Sequence, residues 1–119
     1  MSDSAIRTLS KKFAIKIVEL CRRLKLERVE GDLINQLLRA GTSVGANIYE
    51  AQYAQGTKDF ISKLEIALKE CNESEYWLDL FWELGNISKE EFQCFESEII
   101  NLRRMLVSSV TTLKKKITK

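Results

Sequence analysis

Residues 37–51 read LLRAGTSVGANIYEA and form the most informative stretch of the 119-residue chain. They continue an amphipathic helical pattern, yet they carry Gly41 and Gly45 four residues apart. A glycine inside a helix costs about 1 kcal/mol relative to alanine, so two of them on one helical face need a compensating reason. We expect that reason to be the unusually close approach of another backbone at this face.

A polar stripe follows a neighbouring face of the same segment, at intervals of four, four and three residues: Arg39, Ser43, Asn47 and Glu50. Two interpretations stay open at this point. The stripe is either solvated helix surface or a polar network across a contact between helices or subunits. In the second case, we expect Arg39 or Asn47 to bind the carboxylate of Glu50 or Glu75.

Outward from this stretch, apolar residues recur at steps of three and four in four long segments. The segments cover about residues 4–26, 32–54, 58–84 and 88 onward, and the chain contains no proline. Helices of this length joined by short turns fold back on their neighbours. The sequence therefore predicts an all-α, antiparallel up-down-up-down four-helix bundle that forms one domain over residues 1–119.

Local signals predict where the helices begin and end. Asp32 and Thr57 are candidate N-caps of the second and third helices, since their side-chain oxygens can accept from free N–H groups. Gly56 suits the position just after a helix, and Gly85 ends the third helix in the same way. Ser88 opens an S-x-x-E capping box at the start of the fourth helix.

The composition argues against catalysis. Histidine, the commonest general base and metal ligand, is absent. Cys21, Cys71 and Cys94 are far apart and show no C-x-x-C spacing, so we expect three reduced, mostly buried thiols rather than a zinc site or a disulfide framework. We predict no catalytic residue, no cofactor and no metal. No apolar run reaches the roughly 18 residues of a membrane span, and we expect a cytoplasmic protein.

Charge is distributed unevenly although the net charge is only +2. Residues 1–28 carry eight basic and three acidic side chains, whereas residues 58–86 carry three basic and seven acidic ones. Because the first and fourth helices of such a bundle are adjacent, we expect one basic cluster to form from both ends of the chain: Arg7, Lys11, Lys12, Lys114, Lys115, Lys116 and Lys119.

Three interpretations of this cluster remain. It is a footprint for the phosphate backbone of RNA or DNA, a solvated face whose last lysines interact with the helix dipole, or a basic side that meets the acidic side of a second copy.

The end of the third helix, residues 76–84, is apolar nearly all round. One bundle core cannot cover such a segment, so exposed aromatic rings there predict a protein–protein surface. The alternative is that some of the rings cap the end of the bundle. Tyr49 and Tyr53 could extend this surface. The aromatic rings of residues 76–84 are on the acidic third helix, away from the lysines, and the sequence therefore argues against base stacking. The predicted helix-packing or oligomer contacts are Arg39, Gly41, Ser43, Gly45, Asn47, Glu50, Tyr76, Trp77 and Trp82.

Several stretches resemble one protein family. Residues 38–48, LRAGTSVGANI, resemble the signature of the 23S rRNA intervening-sequence proteins. Residues 58–61, 66–70 and 73–80, which read KDFI, IALKE and ESEYWLDL, are similar to other stretches of that family. The resemblance extends over nearly the whole chain.

This resemblance implies a small bacterial up-down bundle, a pentameric ring as in several members, and no attached enzymatic activity. A distant relative of the family is a basic pentameric protein that works with a reverse transcriptase and RNA. We therefore predict a non-catalytic homo-oligomer, most plausibly a pentamer, that acts as a nucleic-acid-associated scaffold. The alternative is a protein–protein interaction module that binds no nucleic acid.

Overall fold

The computed structural model describes residues 3–118, with side chains from residue 5 onward. This part of the chain forms four helices: α1 (Asp3–Leu26), α2 (Gly31–Ala51), α3 (Thr57–Glu83) and α4 (Lys89–Ile117). No strand occurs between residues 3 and 118, which confirms the predicted all-α class. The bundle is elongated, with extents of 52 × 23 × 21 Å.

Neighbouring helices in the chain are also neighbours in space. α1 packs on α2, α2 on α3 and α3 on α4, and a smaller contact between α1 and α4 closes the bundle. All four helices contribute apolar side chains to one core. The largest fully buried members are Phe13, Ile17, Leu24, Leu37, Ile48, Leu78, Phe81, Ile99, Leu102 and Leu106. The apolar residues that recur at steps of three and four thus form the buried side of each helix.

The sequence signals predicted for the turn between α3 and α4 are confirmed. Gly85 follows α3 with a φ of +83°, in the left-handed region that favours glycine. Its N–H donates to Trp82 O, and the next N–H, of Asn86, donates to Phe81 O, which completes a Schellman motif. Ser88 Oγ then accepts from the N–H of Glu91 at 3.1 Å and caps α4.

Two predicted N-caps are wrong. α2 begins at Gly31, one residue before Asp32, and the preceding Glu30 makes no side-chain cap bond. Asp32 lies in the first turn, where its charge still interacts favourably with the helix dipole. Thr57 is likewise the first residue of α3 rather than its cap.

The turn between α2 and α3 also differs from its prediction. α2 ends at Ala51, three residues earlier than expected. Gly56 occupies the N-cap position of α3 with an extended φ of 165°, so it is not a left-handed residue that ends α2. Asp59 supplies the polar partner at this end, since its Oδ2 accepts from the N–H of Gln55 at 3.1 Å.

The contact between α1 and α2 depends on Gly41. A Cβ placed on Gly41 would lie 2.7 Å from Cγ2 and 2.8 Å from Cγ1 of Ile17, which is fully buried on α1. A close approach is therefore present at this glycine, but it is made by a side chain of α1 and not by another backbone as expected. Gly45 differs, because its Cβ would lie 3.4 Å from the O and Oγ atoms of Ser10, an ordinary contact distance. The second glycine thus has room for a methyl group.

Arg39 connects α2 to α3. Its Nη1 donates to Glu70 Oε2 at 3.0 Å, and its Nη2 donates to Glu73 Oε1. The carboxylate partners are thus not the predicted Glu50 or Glu75, and Glu75 instead accepts from Arg103 Nη2 of α4 at 2.7 Å. Glu70 is only 8% exposed, so Arg39 neutralises a buried charge. The hydrogen bond from Arg39 also lowers the pKa of Glu73.

Substitution of the two glycines should separate their roles. Gly41→Ala should destabilise the protein by about 1–3 kcal/mol, because its methyl group overlaps Ile17. Gly45→Ala should be neutral or stabilising by up to about 1 kcal/mol, since alanine is the better helix former. Urea unfolding measures both changes. Ile17→Ala, which removes the overlapping atoms, should make the Gly41→Ala substitution harmless in the double variant. Equal effects of the two glycine substitutions would contradict this account.

Removal of the Arg39 guanidinium should leave the Glu70 carboxylate buried without its cation. We expect Arg39→Met to lower the free energy of unfolding by about 1–3 kcal/mol at neutral pH. Lys114→Met is the control, because it breaks an exposed pair with Glu65 and should cost less than about 1 kcal/mol.

The two proteins should also differ in acid. Because the pKa of Glu73 lies below its ordinary value of 4.5 in the folded protein, its stabilising effect is present above about pH 4.5. The effect is lost as the pH falls through the lowered value. Unfolding measured from pH 6 to pH 3 should therefore show a shallower acid loss for Arg39→Met than for the wild type; parallel curves would contradict the assignment.

Candidate functional site

A groove of about 1000 Å³ runs between α1 and α2. Three basic residues of α1, namely Arg7, Lys11 and Lys12, line it together with Glu50 of α2. All four residues are exposed. Among the side chains of residues 5–118, no carboxylate forms an ion pair with any of the three cations. The groove therefore carries three positive charges against the one negative charge of Glu50.

The sides of the groove between these charges are built from small residues: Thr8, Ser10, Ala14, Thr42, Gly45 and Ala46. Their hydroxyl groups are partly committed to their own helices. Ser10 Oγ donates to Arg7 O at 3.1 Å, and Thr42 Oγ1 donates to Leu38 O at 2.7 Å. The groups available to bind a ligand are mainly the exposed charges and the aromatic ring of Tyr49.

Two tyrosines lie at the same end of α2. Tyr49 lines the groove and is 57% exposed, and Tyr53 is 71% exposed. Their ring centroids are 5.3 Å apart with an interplanar angle of 49°. Hydrogen bonding with the Tyr49 side chain raises the pKa of Tyr53, while the charge of Arg7 acts to lower it. Arg7 is therefore an electrostatic neighbour of this tyrosine pair.

This placement overturns one expectation from the sequence. In that interpretation Tyr49 and Tyr53 could extend the aromatic surface of α3, which lies away from the basic residues. Tyr49 instead shares a groove with Arg7, Lys11 and Lys12. The spacing of four residues predicts that the two tyrosines are neighbours, but it does not identify the helix that they meet, and Tyr53 lies two residues beyond the end of α2.

The aromatic end of α3 forms a separate, smaller groove with α4, of about 410 Å³. Tyr76 lines it and is 61% exposed. Trp82 is half-buried and stacks on Phe92 of α4, with ring centroids 4.8 Å apart and an interplanar angle of 17°. Trp77 is also half-buried, edge-on to Tyr76 at 4.9 Å. Tyr76 thus presents more surface than either tryptophan, and an oligomer contact here stays a prediction.

The polar stripe of α2 divides into different roles. Ser43 Oγ donates to Arg39 O at 2.6 Å, and Asn47 Nδ2 donates to Ser43 O at 2.8 Å, so both side chains bond to their own helix. Glu50 faces the groove. Arg39 is the member whose side chain bonds to another helix among the described residues.

The basic residues of α4 lie apart from this groove's lining. Lys114 Nζ donates to Glu65 Oε2 of α3 at 2.7 Å, in an exposed pair. Lys115 and Lys116 are exposed in the last turn of α4, and Lys119 lies outside the described residues. Among the described contacts, none joins these lysines to Arg7, Lys11 or Lys12. One cluster formed from both ends of the chain therefore stays a prediction.

The partners of Arg39 were missed from the sequence. Glu70 and Glu73 are three residues apart on α3 and match the two arms of one guanidinium. The spacing itself was the available signal. Two atoms beside this cluster, Glu70 Oε1 and Trp77 Nε1, are buried and form no hydrogen bond within the described residues.

The cysteines and the possible metal-binding groups of residues 5–118 form the rest of the candidate chemistry. Cys21 and Cys71 are buried, and burial raises the pKa of their thiols to about 11 and about 12. Cys94 is exposed rather than buried, and all three cysteines are free. Within the described range, no group of three acidic or cysteine side chains is placed to hold a metal ion. None of the helices described here combines the length and apolar character needed to cross a bilayer.

Comparison with known proteins places this geometry in a family. The model of the 23S rRNA-intervening sequence protein family matches residues 2–108. The chain is similar to a crystal structure of a protein with unknown function from the S23 ribosomal protein family of Bacteroides thetaiotaomicron. The two share 41% identity with a TM-score of 0.90, over 93% of this chain and 99% of the other. A search of curated proteins gives no match. The chain belongs to the 23S rRNA-intervening sequence protein family.

Proposed function

We propose that the protein is a non-catalytic, homo-oligomeric scaffold that binds the phosphate backbone of nucleic acid in the groove between α1 and α2. The observation that carries this proposal is the exposure of Arg7, Lys11 and Lys12 in one groove, with no acidic partner among the described side chains. Contacts of this kind with phosphate dominate the affinity of proteins for nucleic acid. The proposal includes a cytoplasmic location, where the three free thiols would stay reduced.

The use of charge elsewhere in the bundle supports this assignment. Carboxylates of acidic α3 bind arginines of the helices on either side, as with Arg39 and Arg103. These pairs leave fewer free carboxylates to attract the basic face of a second copy. The surplus on α1 therefore fits an external polyanion better than it fits the acidic side of another subunit. In an oligomer the groove would be repeated, and avidity would strengthen a weak individual site.

A protein-interaction module is the second candidate. The observation that favours it is the apolar surface left exposed on α3 and α4, where Tyr76 is 61%, Leu84 is 55% and Val107 is 45% exposed. A partner protein could cover these side chains without any contribution from the basic groove.

We also infer that the four helices run up-down-up-down. The ion pairs support this order: Glu75 and Glu65 of α3 pair with Arg103 and Lys114 of α4, so residue numbers fall on one helix as they rise on the other. Between α1 and α4, Lys16 and Arg23 pair with Glu98 and Glu91 in the same opposed sense.

We infer that the scaffold closes into a pentameric ring. Support comes from the apolar side chains exposed on α3 and α4, which a different part of a neighbouring subunit could cover while the basic groove stays free for its ligand. Contacts between unlike surfaces of identical subunits close into a ring when the rotation allows it.

Titration with a structured RNA and a duplex DNA, at about 50 and about 200 mM salt, tests the nucleic-acid proposal. Binding should weaken steeply with salt, because it releases counterions from the phosphates and this release is less favourable at higher salt concentration. The triple variant Arg7→Gln, Lys11→Gln, Lys12→Gln should bind more weakly and should lower the salt slope by roughly two to three.

The control removes three other cations from the opposite end of α1 and the turn that follows it, with Arg22→Gln, Lys25→Gln and Arg28→Gln. All three side chains are exposed, and the change in net charge is the same. Arg22 and Lys25 lie in α1 and Arg28 in the turn after it, all away from the groove lining, so this variant should bind almost as well as the wild type. No binding by the wild type at about 50 mM salt would reject the nucleic-acid proposal and leave the protein-interaction candidate. Equal losses in both triple variants would mean that overall charge, and not the groove, attracts the ligand.

Light scattering at micromolar concentration tests the assembly. The expected mass is that of five subunits, and Tyr76→Ser with Leu84→Ser should reduce it by removing exposed apolar contact. These residues are better probes than Trp77 and Trp82, whose half-buried rings also support the fold. Leu26→Ser is the control, because Leu26 is 84% exposed at the end of α1. A wild-type mass of one subunit would contradict the ring.

A further inference from the structure

We infer that the groove between α1 and α2 binds single-stranded nucleic acid, with unpaired bases stacked on Tyr49 and Tyr53 and the neighbouring phosphates held by Arg7, Lys11 and Lys12. This inference rests on the proposed function and specifies which form of nucleic acid the groove takes. The observation behind it is the shared position of the exposed Tyr49 ring and three exposed cations in one groove, with the Tyr53 ring directly beside Tyr49.

The tyrosine rings are available for stacking. More than half of each side chain is exposed, at 57% for Tyr49 and 71% for Tyr53, although aromatic rings usually bury most of their surface. The rings are inclined to each other at 49° with centroids 5.3 Å apart, so each keeps a face that the other does not cover. Aromatic faces exposed in this way hold successive bases in proteins that bind single strands.

The cations are placed to hold the backbone that connects those bases. Arg7 and Lys11 are one helical turn apart on α1, and Lys12 follows directly. Arg7 is also close enough to the rings to influence the ionisation of Tyr53. A strand whose bases reach the tyrosines would therefore bring its phosphates beside these side chains. Glu50 adds one carboxylate to the same groove, which disfavours a bare phosphate at that position and can accept a hydrogen bond from a base amino group.

The rings select between single and double strands. In a duplex, the bases are stacked on one another and paired, so their faces are closed to a protein side chain. Single strands offer those faces directly, and stacking is tolerant of sequence because every base has a π-face. Duplex nucleic acid could use the three cations but would gain nothing from the tyrosines.

The test compares a fluorescein-labelled 12-nucleotide oligouridylate with a blunt 12-base-pair RNA duplex, by anisotropy on the intact protein. Replacing both rings with Tyr49→Leu and Tyr53→Leu should weaken binding of the single strand about tenfold or more, from the loss of stacking on the order of 1–3 kcal/mol per base. Duplex binding should change less than about twofold. The salt slope should stay as in the wild type, because no phosphate contact is removed.

Two variants serve as controls. Tyr49→Phe with Tyr53→Phe keeps the rings and should keep single-strand affinity within about twofold, which a role of the hydroxyl groups would not allow. Tyr76→Leu removes an equally exposed ring from the groove between α3 and α4 and should have no effect on oligouridylate binding. Circular dichroism checks that each variant keeps its helices.

The outcomes separate this inference from the proposed function. Binding of RNA that weakens with salt and with Arg7→Gln, Lys11→Gln, Lys12→Gln, yet does not respond to loss of the tyrosines, would overturn the inference and leave the proposed function standing. Failure of the wild type to bind any of the probes would overturn both. A change in oligomer mass in the Tyr49→Leu, Tyr53→Leu variant would assign the rings to a subunit contact and would also overturn the inference.

Discussion

The contact of Gly41 with Ile17 determines how closely α1 lies against α2. Ile17 is fully buried, and its side chain occupies the space that any Cβ at position 41 would need. The helix loses about 1 kcal/mol of intrinsic propensity at this glycine, and the packing of Ile17 offsets that loss. The groove lined by the basic side chains of α1 and by Tyr49 of α2 lies between these two helices. The candidate site therefore depends on how the core packs as well as on its own residues.

Charge is distributed unevenly over the bundle although the net charge is only +2. On α3, acidic side chains bind arginines from the helices on both sides, and the deepest of them, Glu70, is held by Arg39. The arginines pair with carboxylates that would be unfavourable if they were partly removed from water without a cation. On α1, by contrast, the cations near the groove have no carboxylate partner among the described side chains. The basic face is thus not a consequence of composition alone but of which charges the fold neutralises internally.

Much of the fold could be predicted because helix periodicity and local capping depend on short stretches of sequence. Gly85 and Ser88 act through contacts within a few residues, and both predictions are correct. The errors have a physical pattern. Asp32 is the second residue of α2 and not its N-cap. An acidic residue is favourable at several positions near a helix start, so its presence alone does not identify the first residue of the helix. Arg28 takes a left-handed φ of 62° where no glycine marks the end of α1, and the N–H groups of Arg28 and Val29 donate to Lys25 O and Leu24 O in a Schellman motif. Tyr49 was assigned to the wrong groove, because which helix covers a face is a property of the whole bundle.

Segment 37–51 shows why fold and candidate site are linked in this chain. Its faces meet different neighbours: Arg39 binds carboxylates of α3, Gly41 receives Ile17 of α1, and Tyr49 opens onto the groove. Helical geometry makes these roles interdependent, since a rotation of about 100° separates successive residues and moving one face moves all three. The rotation of α2 is set by its apolar face, since Leu37, Val44 and Ile48 are fully buried. That same rotation directs Arg39 toward the carboxylates of α3 and Tyr49 toward the cations of α1, so the core of the bundle positions the candidate site.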